Sequence, residues 1–392
     1  MSIAVINIGN SHDGGIEGNP IPGDALTVRN GSIEWIGASS EVSLDDYDQV
    51  LDARGATVIP GLIDSHSHTT FGDYTPRQNT IGFLESYVHG GTTSVISASE
   101  VHVPGRPVSI AGVKALAIAA AQSYREYRPG GMRVHAGSVI LEPGLTVRDF
   151  QEVRENGVWL AKAGFGAFSA PKEYAEVVRN AQEAGVIVMC HTGGGSIPGS
   201  MSKIDADALL TIRPNVAGHV NGGPTALTWE ENTIMVEQAP DIALQLVHAG
   251  NLKSAIDISE KALAADQFHR VLIATDTPTG TGVIPLGMIR QMAEMVSLGP
   301  LTPQQAISAA TGSVADVYKI EKSGKLQVGY DADFVIIDAP LGSSEDDAFS
   351  ALTKGDLPAV AVVVTDGVIR LTKSRNTPGP IREVGLVKGA SS

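Results

Sequence analysis

Thr57-Val-Ile-Pro-Gly-Leu-Ile-Asp-Ser-His-Ser-His68 is an apolar run that ends in two histidines one residue apart. On a β-strand, residues i and i+2 project from the same face. His66 and His68 therefore stand side by side at the strand's end, spaced to share one metal ion. A His-x-His pair leaving a strand is commonly no more than polar; this pair gains weight from its company. Later apolar runs close in the same way, on Lys162, His191, His219 and Asp276.

Outward from that strand, the chain alternates strand and helix. Strands are predicted at 58–63, 92–98, 133–140, 157–162, 186–190, 216–219, 242–247 and 271–275, with amphipathic or Ala-rich helices at 110–125, 174–184, 230–238 and 254–266. This alternation predicts an α/β fold, a closed (β/α)8 TIM-like barrel. A doubly wound open sheet normally uses fewer strands and a Gly-rich phosphate turn after the first, where this chain has His-Ser-His. Gly193–Gly195 lacks the Lys-Ser/Thr ending of a phosphate loop, which argues against nucleotide binding.

Both ends read differently. Short strands at 4–8, 25–28 and 32–36 include the hairpin signal Arg29-Asn-Gly-Ser32, and strands at 332–337, 359–364 and 368–371 include Thr365-Asp-Gly-Val368. Asn-Gly and Asp-Gly tolerate the positive φ of a tight turn. The two ends are expected to pair as one small β-sandwich. That gives 1–56 as its N-terminal part, 57–325 as the barrel, 326–372 as its C-terminal part, and 373–392 as an arm, loosely ordered or packed on a neighbouring subunit.

Composition bounds the function. With 392 residues, 43% hydrophobic and 18% charged, and a net charge of −15, the chain reads as a compact folded protein. No basic run invites nucleic acid or an anionic membrane. Cys190 is the only cysteine, so no intrachain disulfide forms and a reducing cytoplasm is expected. The start has no signal-peptide pattern, and no stretch of about 18 apolar residues is available to span a membrane.

In a barrel of this kind, active-site residues sit at the C-terminal strand ends. Those ends carry His66, His68, Lys162, His191, His219 and Asp276. Lys162 is the most diagnostic, because Trp159-Leu-Ala-Lys-Ala-Gly-Phe165 is otherwise apolar and burying an unpaired ammonium costs several kcal/mol. Either the amine snorkels to the strand's end, or carbon dioxide converts it to an anionic carbamate able to bridge two metal ions. Cys190 precedes His191 on one strand and should face the opposite way, into the core.

Pro60-Gly-Leu-Ile-Asp-Ser-His-Ser-His68, the strand-four Lys, single histidines on strands five and six, the strand-eight Asp and the closing Gly329-Tyr-Asp-Ala-Asp-Phe-Val-Ile-Ile-Asp338 together resemble the amidohydrolase superfamily. The segments Gly72-Asp-Tyr-Thr-Pro-Arg-Gln78, Pro104-Gly-Arg-Pro107, His191-Thr-Gly-Gly-Gly-Ser-Ile-Pro-Gly199 and His219-Val-Asn-Gly-Gly-Pro-Thr225 are similar to those of its enamidase branch. So are Gly280-Thr-Gly-Val-Ile-Pro-Leu-Gly287 and Lys373-Ser-Arg-Asn-Thr-Pro378. Enamidases open the ring of 6-oxo-tetrahydronicotinate. One departure stands out: where Lys162 falls, the enamidase pattern carries a bridging Glu.

The resemblance implies His66, His68 and Asp276 on a more buried metal ion and His191 and His219 on a second, bridged by carboxylated Lys162. The ions would be zinc, with iron or manganese as alternatives, and the water they share would act as hydroxide near neutral pH. Asp276 would serve as general base and then general acid. The substrate is expected to be a small cyclic amide bearing a carboxylate, clamped by Arg77 and Arg106, with Tyr74 and His248 as further contacts. Other lactams, cyclic imides, ureides or N-acyl amino acids remain alternative substrates, and a metal-free scaffold is the reading from another class. Superfamily habit points to a homo-oligomer, a tetramer.

Overall fold

Parallel strands Leu62–Ser67, Thr92–Ser97 and Arg133–His135 form one sheet in the computed structural model of the chain, and Ser138–Ile140, Leu160–Ala163, Ile187–His191, Val216–Gly218, Ala243–Val247 and Val271–Ala274 form a second. The structure describes residues 1–69, 80–102, 104–195, 203–223, 225–278 and 284–389. The two sheets close on each other at two seams. One is the chain itself, running from His135 to Ser138. At the other, Ser67 bridges Thr277 in parallel, the Asp276 N–H donates to the His66 carbonyl, and the His68 N–H donates to the Thr277 carbonyl. The result is a (β/α)8 barrel whose last strand end is stitched to its first.

The alternation of side chains across the barrel wall explains both of its cores. Ile63, Ile96, Leu160, Ile187, Met189, Val216, Ala243 and Leu272 fill the interior. Their strand neighbours Val95, Ala161, Val188, Cys190, Ala217, Leu244 and Ile273 pack outward against the helices. With a period of two, Leu160 inside places Lys162 inside, and Met189 inside places His191 inside and Cys190 out. Cys190 is buried in the outer layer, as its position predicts.

Helices start where their capping residues stop the preceding loops. Ser109, Thr146, Asp205, Thr228 and Asn251 each accept a hydrogen bond from a backbone N–H in the first turn, satisfying donors that a helix start leaves unpaired. Thr146 and Thr228 do so in capping boxes with Asp149 and Glu231.

The strand expected at 58–63 is two strands. Thr57–Pro60 pairs antiparallel with Phe334–Asp338 in the small domain, and only Leu62–Ser67 belongs to the barrel. Gly61 makes the transfer possible, because a Cβ there would lie 2.1 Å from Thr93 Oγ1. Thr57–Pro60 joins Phe334–Asp338, Ala359–Thr365 and Val368–Leu371 in a four-stranded sheet, which faces a five-stranded sheet ordered Gly385–Lys388, Gln49–Asp52, Ser2–Ile6, Ala25–Arg29, Ser32–Gly37. Ile3, Leu26, Val28, Leu51, Val58, Phe334, Ile336 and Val362 pack between them. Asn30-Gly31 and Asp366-Gly367 turn their hairpins with φ of 53° and 80°, and 49° and 68°, the paired positive values of a type I′ turn. The arm does not stand apart: Gly385–Lys388 adds an edge strand beside Gln49–Asp52.

Candidate metal centre

His66, His68 and Asp276 come together at the seam. Their ligand atoms lie within 4.8 Å of one another and all three residues are buried. Asp276 Oδ1 is 3.3 Å from His66 Nε2 and 3.2 Å from His68 Nε2. The end of one strand, Leu62–Ser67, supplies both histidines, and the Asp276 N–H bond to the His66 carbonyl brings the carboxylate across.

The hydrogen-bond network fixes which nitrogen of His66 carries its proton. Gln245 Nε2 donates to the Ser65 carbonyl at 3.1 Å and to Ser65 Oγ at 2.8 Å, while Gln245 Oε1 accepts from the His219 backbone N–H. The amide therefore cannot flip, and its oxygen faces His66 Nδ1 at 2.6 Å. Nδ1 must be the donor, which leaves a lone pair on Nε2. Burial first, then the neighbouring Lys162 charge, holds the His66 pKa well below its usual value, so the ring stays neutral. An Nε2 lone pair then opposes a carboxylate oxygen. That arrangement is repulsive unless a cation lies between them. Burial alone would push Asp276 up, but the hydrogen bond offered by His68 Nε2 works against it, and the carboxyl lies well below the usual carboxylate range.

Lys162 does not snorkel. It is 1% exposed, with Nζ 3.5 Å from His66 Nε2 and 3.2 Å from Met189 Sδ. Burial lowers its pKa to about 8, which makes the amine a nucleophile within reach of neutral pH. His191 and His219 face each other with ring centroids 4.5 Å apart, and His219 lies 5.3 Å from His66. His191 Nε2 donates to the Gly194 carbonyl at 3.3 Å, so its Nδ1 carries a lone pair. Among the described residues, that Nδ1 and the His219 Nδ1 are buried with no hydrogen-bond partner. Burial lowers the pKa of both rings, that of His219 to about 4. Two neutral imidazoles with unsatisfied nitrogens beside a buried amine fit a second cation with a bridging group.

His219 and Asp276 also break a backbone rule. Both hold positive φ, 39° and 58°, in a region that is costly for residues with a Cβ. Beneath them, Asp64 accepts from the His66 and Thr275 N–H groups at 3.1 and 3.0 Å, and burial raises its pKa to about 6.

The remaining residues singled out from the sequence fall elsewhere. Tyr74 and Arg77 lie outside the described residues. Arg106 is engaged within the protein: its guanidinium is 2.5 Å from Glu142 Oε1 and donates to the carbonyls of Phe165 and Pro107. Glu142 in turn accepts from the Ala167 N–H, so this pair ties three loops at the barrel's mouth. His248 turns to Glu294, with Nδ1 3.3 Å from the carboxylate, and is not part of the histidine cluster.

Three polar residues at the site carried weaker signals. Gln245 sits in Ile242-Ala-Leu-Gln-Leu-Val247, a polar residue in an apolar strand much as Lys162 is. Ser99 and His102 follow the second barrel strand. Ser99 Oγ lies 3.3 Å from His68 Nδ1 and 2.9 Å from His102 Nδ1, and the His102 ring packs on His68 and Phe165 at 4.9 and 4.5 Å.

Known proteins resemble this chain in sequence and fold. The amidohydrolase family model matches residues 57–372. The chain is 43% identical over 381 residues to an enamidase from Eubacterium barkeri, covering 96% of this chain and 98% of that one. An enamidase crystal structure superposes with a TM-score of 0.93 at 41% identity, over 99% of this chain and all of that one. An imidazolonepropionase from Pseudomonas fluorescens is 26% identical over 81% of this chain and 88% of its own length.

Proposed function

The chain belongs to the amidohydrolase family, and from that membership we propose that it opens the ring of a carboxylated six-membered cyclic enamide. It is a hydrolase of C–N amide bonds. The observation that carries the reading is the Asp276 carboxylate held 3.2 and 3.3 Å from two imidazole nitrogens, one of which presents a lone pair to it.

His66, His68 and Asp276 would hold one divalent cation, and His191 and His219 a second, with Lys162 as a carbamate between them. The reading takes zinc as the metal, with iron or manganese as alternatives that the same ligands accept. Cations bound there supply electrophilic polarisation and a water that loses its proton near neutral pH.

The rest of the work falls to the chain. Oxygen from water bonds to the ring carbonyl carbon, and the ring C–N bond breaks. Asp276, ionised in the resting site, takes the proton that the water gives up and delivers it to the departing nitrogen. The freed enamine tautomerises to an imine, which hydrolyses to an aldehyde and ammonia. Gln245 keeps His66 in one tautomer, and the Arg106–Glu142 pair fixes the loops around Phe165. With Arg106 so engaged, Arg77 and Tyr74 are the proposed contacts for the substrate carboxylate, and His248 is assigned to the barrel wall. A cytoplasmic homotetramer, each subunit divided into a barrel and a split sandwich that takes in the C-terminal segment, completes the proposal; no helix among the described residues is long and apolar enough to cross a membrane.

A turnover panel of carboxylated six-membered lactams, with and without the ring double bond, tests the reading, together with metal analysis of the purified protein. Ring opening of the carboxylated enamide by protein containing divalent metal is expected. Activity on uncharged cyclic ureides alone would overturn the substrate, and a metal-free active protein would overturn the centre.

A further inference from the structure

His66 and His68 are ligands of the same proposed cation, yet their outer nitrogens are held by different devices. His66 Nδ1 meets an amide oxygen that can only accept. His68 Nδ1 meets the Ser99 hydroxyl at 3.3 Å, and that hydroxyl meets His102 Nδ1 at 2.9 Å. A hydroxyl both donates and accepts, so this second device can run in two directions. Ser99 and His102 are buried, as is His68, and the His68 and His102 rings pack 4.9 Å apart.

The direction follows from what His68 Nε2 is doing. When Nε2 ligates a cation, its lone pair is committed and the imidazole proton sits on Nδ1. His68 then donates to Ser99 Oγ, the Ser99 O–H donates to His102 Nδ1, and His102 carries its proton on Nε2. Without a cation, Nε2 lies 3.2 Å from an Asp276 carboxyl oxygen, and the contact is a hydrogen bond with Nε2 as donor. His68 Nδ1 then accepts from the Ser99 O–H, and Ser99 Oγ accepts from a proton on His102 Nδ1. Each ring keeps one proton in both states and the hydroxyl keeps its own, so the change is a set of tautomer shifts with no net proton gained or lost.

We propose that Ser99 and His102 are positioning residues for His68, forming a two-state relay whose direction is set by whether His68 is ligated. The proposal rests on the metal-centre reading above. Its physical effect is to give His68 a satisfied Nδ1 in both states, where a fixed acceptor such as Gln245 would satisfy only one. His68 can therefore release the Asp276 carboxylate and take a cation without leaving a buried donor unpaired, a fault that costs about 1–3 kcal/mol.

The test is spectroscopic and its decisive readout is taken on the wild-type protein. Wild-type protein with ¹⁵N-labelled histidine is compared before and after removal of divalent ions by chelation, reading ring tautomers from long-range ¹H–¹⁵N correlations. The His102 signals are identified by their loss in His102→Asn. His102 is expected as the Nε2–H tautomer in the metal-loaded protein and the Nδ1–H tautomer in the stripped protein, while His66 stays Nδ1–H in both. The same His102 tautomer in both states would overturn the relay. In parallel, chelator competition should show Ser99→Ala binding divalent ion about 10–100-fold more weakly, with Ser99→Thr restoring most of the loss; an unchanged affinity in Ser99→Ala would also overturn it. A wild-type protein that binds no divalent ion at all would instead bring down the metal-centre reading, so the two failures are distinct.

Discussion

Rebuilding the metal-stripped protein in buffer freed of carbon dioxide should leave Lys162 a plain amine and the second half of the centre incomplete. Burial lowers the Lys162 pKa from 10.5 to about 8. At pH 7 roughly one lysine in eleven is then neutral, against about three in ten thousand for an unshifted one, so burial raises the reactive fraction about 300-fold. The same shift makes the unmodified lysine a liability of about 3 kcal/mol at pH 7. Its sign is set by proton counting. Between pH 8 and 10.5 the unfolded chain holds more protons on Lys162 than the folded one, so stability rises with pH across that window, and below it the full penalty stands. Carboxylation replaces the buried ammonium and removes that slope. Metal uptake and recovered activity, followed after addition of ¹³C-bicarbonate at fixed dissolved carbon dioxide, should require the gas and accelerate about ninefold from pH 6 to 7, levelling off above about 8. A ¹³C carbamate signal should appear with the activity and be absent from Lys162→Glu, which carries its own carboxylate and should rebuild without bicarbonate. Full recovery of the wild-type protein in gas-free buffer, or a rate flat between pH 6 and 8, would refute the reasoning.

Three further outcomes follow from the geometry. Asp276→Asn keeps an oxygen ligand but loses the proton carrier, so kcat/KM should fall about 10²–10⁴-fold; a loss under tenfold at full metal content would show that another group moves the proton. Arg106→Leu leaves Glu142, 2% exposed, as a buried unpaired charge, and urea unfolding should register a loss of about 3–5 kcal/mol. The double variant Arg106→Leu/Glu142→Leu should recover at least half of that loss, and a single-variant cost below about 1 kcal/mol would mean the pair is solvated. Burial first, then the charges of Arg133 and Arg128, pushes His135 down to about 3. Between pH 3 and 6.5 the unfolded chain therefore binds the extra proton and stability falls as pH drops, by up to about 1.4 kcal/mol per pH unit. His135→Phe should flatten the urea-midpoint profile over that range by one proton's worth, and an unaltered slope would disprove the assignment.

Much of this is legible in the sequence, because strand periodicity and strand ends are local facts. The His66–His68 pair, Lys162 in its apolar strand and the outward Cys190 all followed from a period of two. Other features depend on long-range pairing that no local pattern encodes. Whether 57–60 belongs to barrel or sandwich turns on Asp333, whose carbonyl accepts the Gly61 N–H, and on the antiparallel partner Phe334–Asp338 far along the chain. The edge strand Gly385–Lys388 is similarly invisible, since Gly-Leu-Val-Lys has no register until Gln49–Asp52 supplies one. Arg106 read as a substrate clamp because a loop arginine near a barrel mouth is chemically able to be one. The structure supplies what the sequence could not, a buried carboxylate from the third strand's end at 2.5 Å. Ser99 and His102 were missed for a different reason: their meaning lies in hydrogen-bond direction, which depends on a partner's tautomer.

The two halves of the centre differ in how far the protein has prepared them. His66, His68 and Asp276 already lie within 4.8 Å of one another, and the outer nitrogens of both histidines are bonded, to Gln245 and to Ser99. Preorganisation of this kind lowers what binding must spend on ordering its ligands. The other half has two imidazoles whose Nδ1 atoms find no partner among the described residues, and an amine that is no ligand while protonated. On the proposed reading it is completed when Lys162 becomes a carbamate. The strained backbone is divided between the halves, with Asp276 in one and His219 in the other. Strain of this order, about 1–3 kcal/mol per residue, persists because the barrel's closure over-determines it: the Asp276 N–H is bonded to the His66 carbonyl, and the Gly222 N–H to the His219 carbonyl. The seam that closes the fold therefore also aims the carboxylate. A mutation that loosened the Ser67–Thr277 bridge would act on chemistry through Asp276 before it acted on the barrel as a whole.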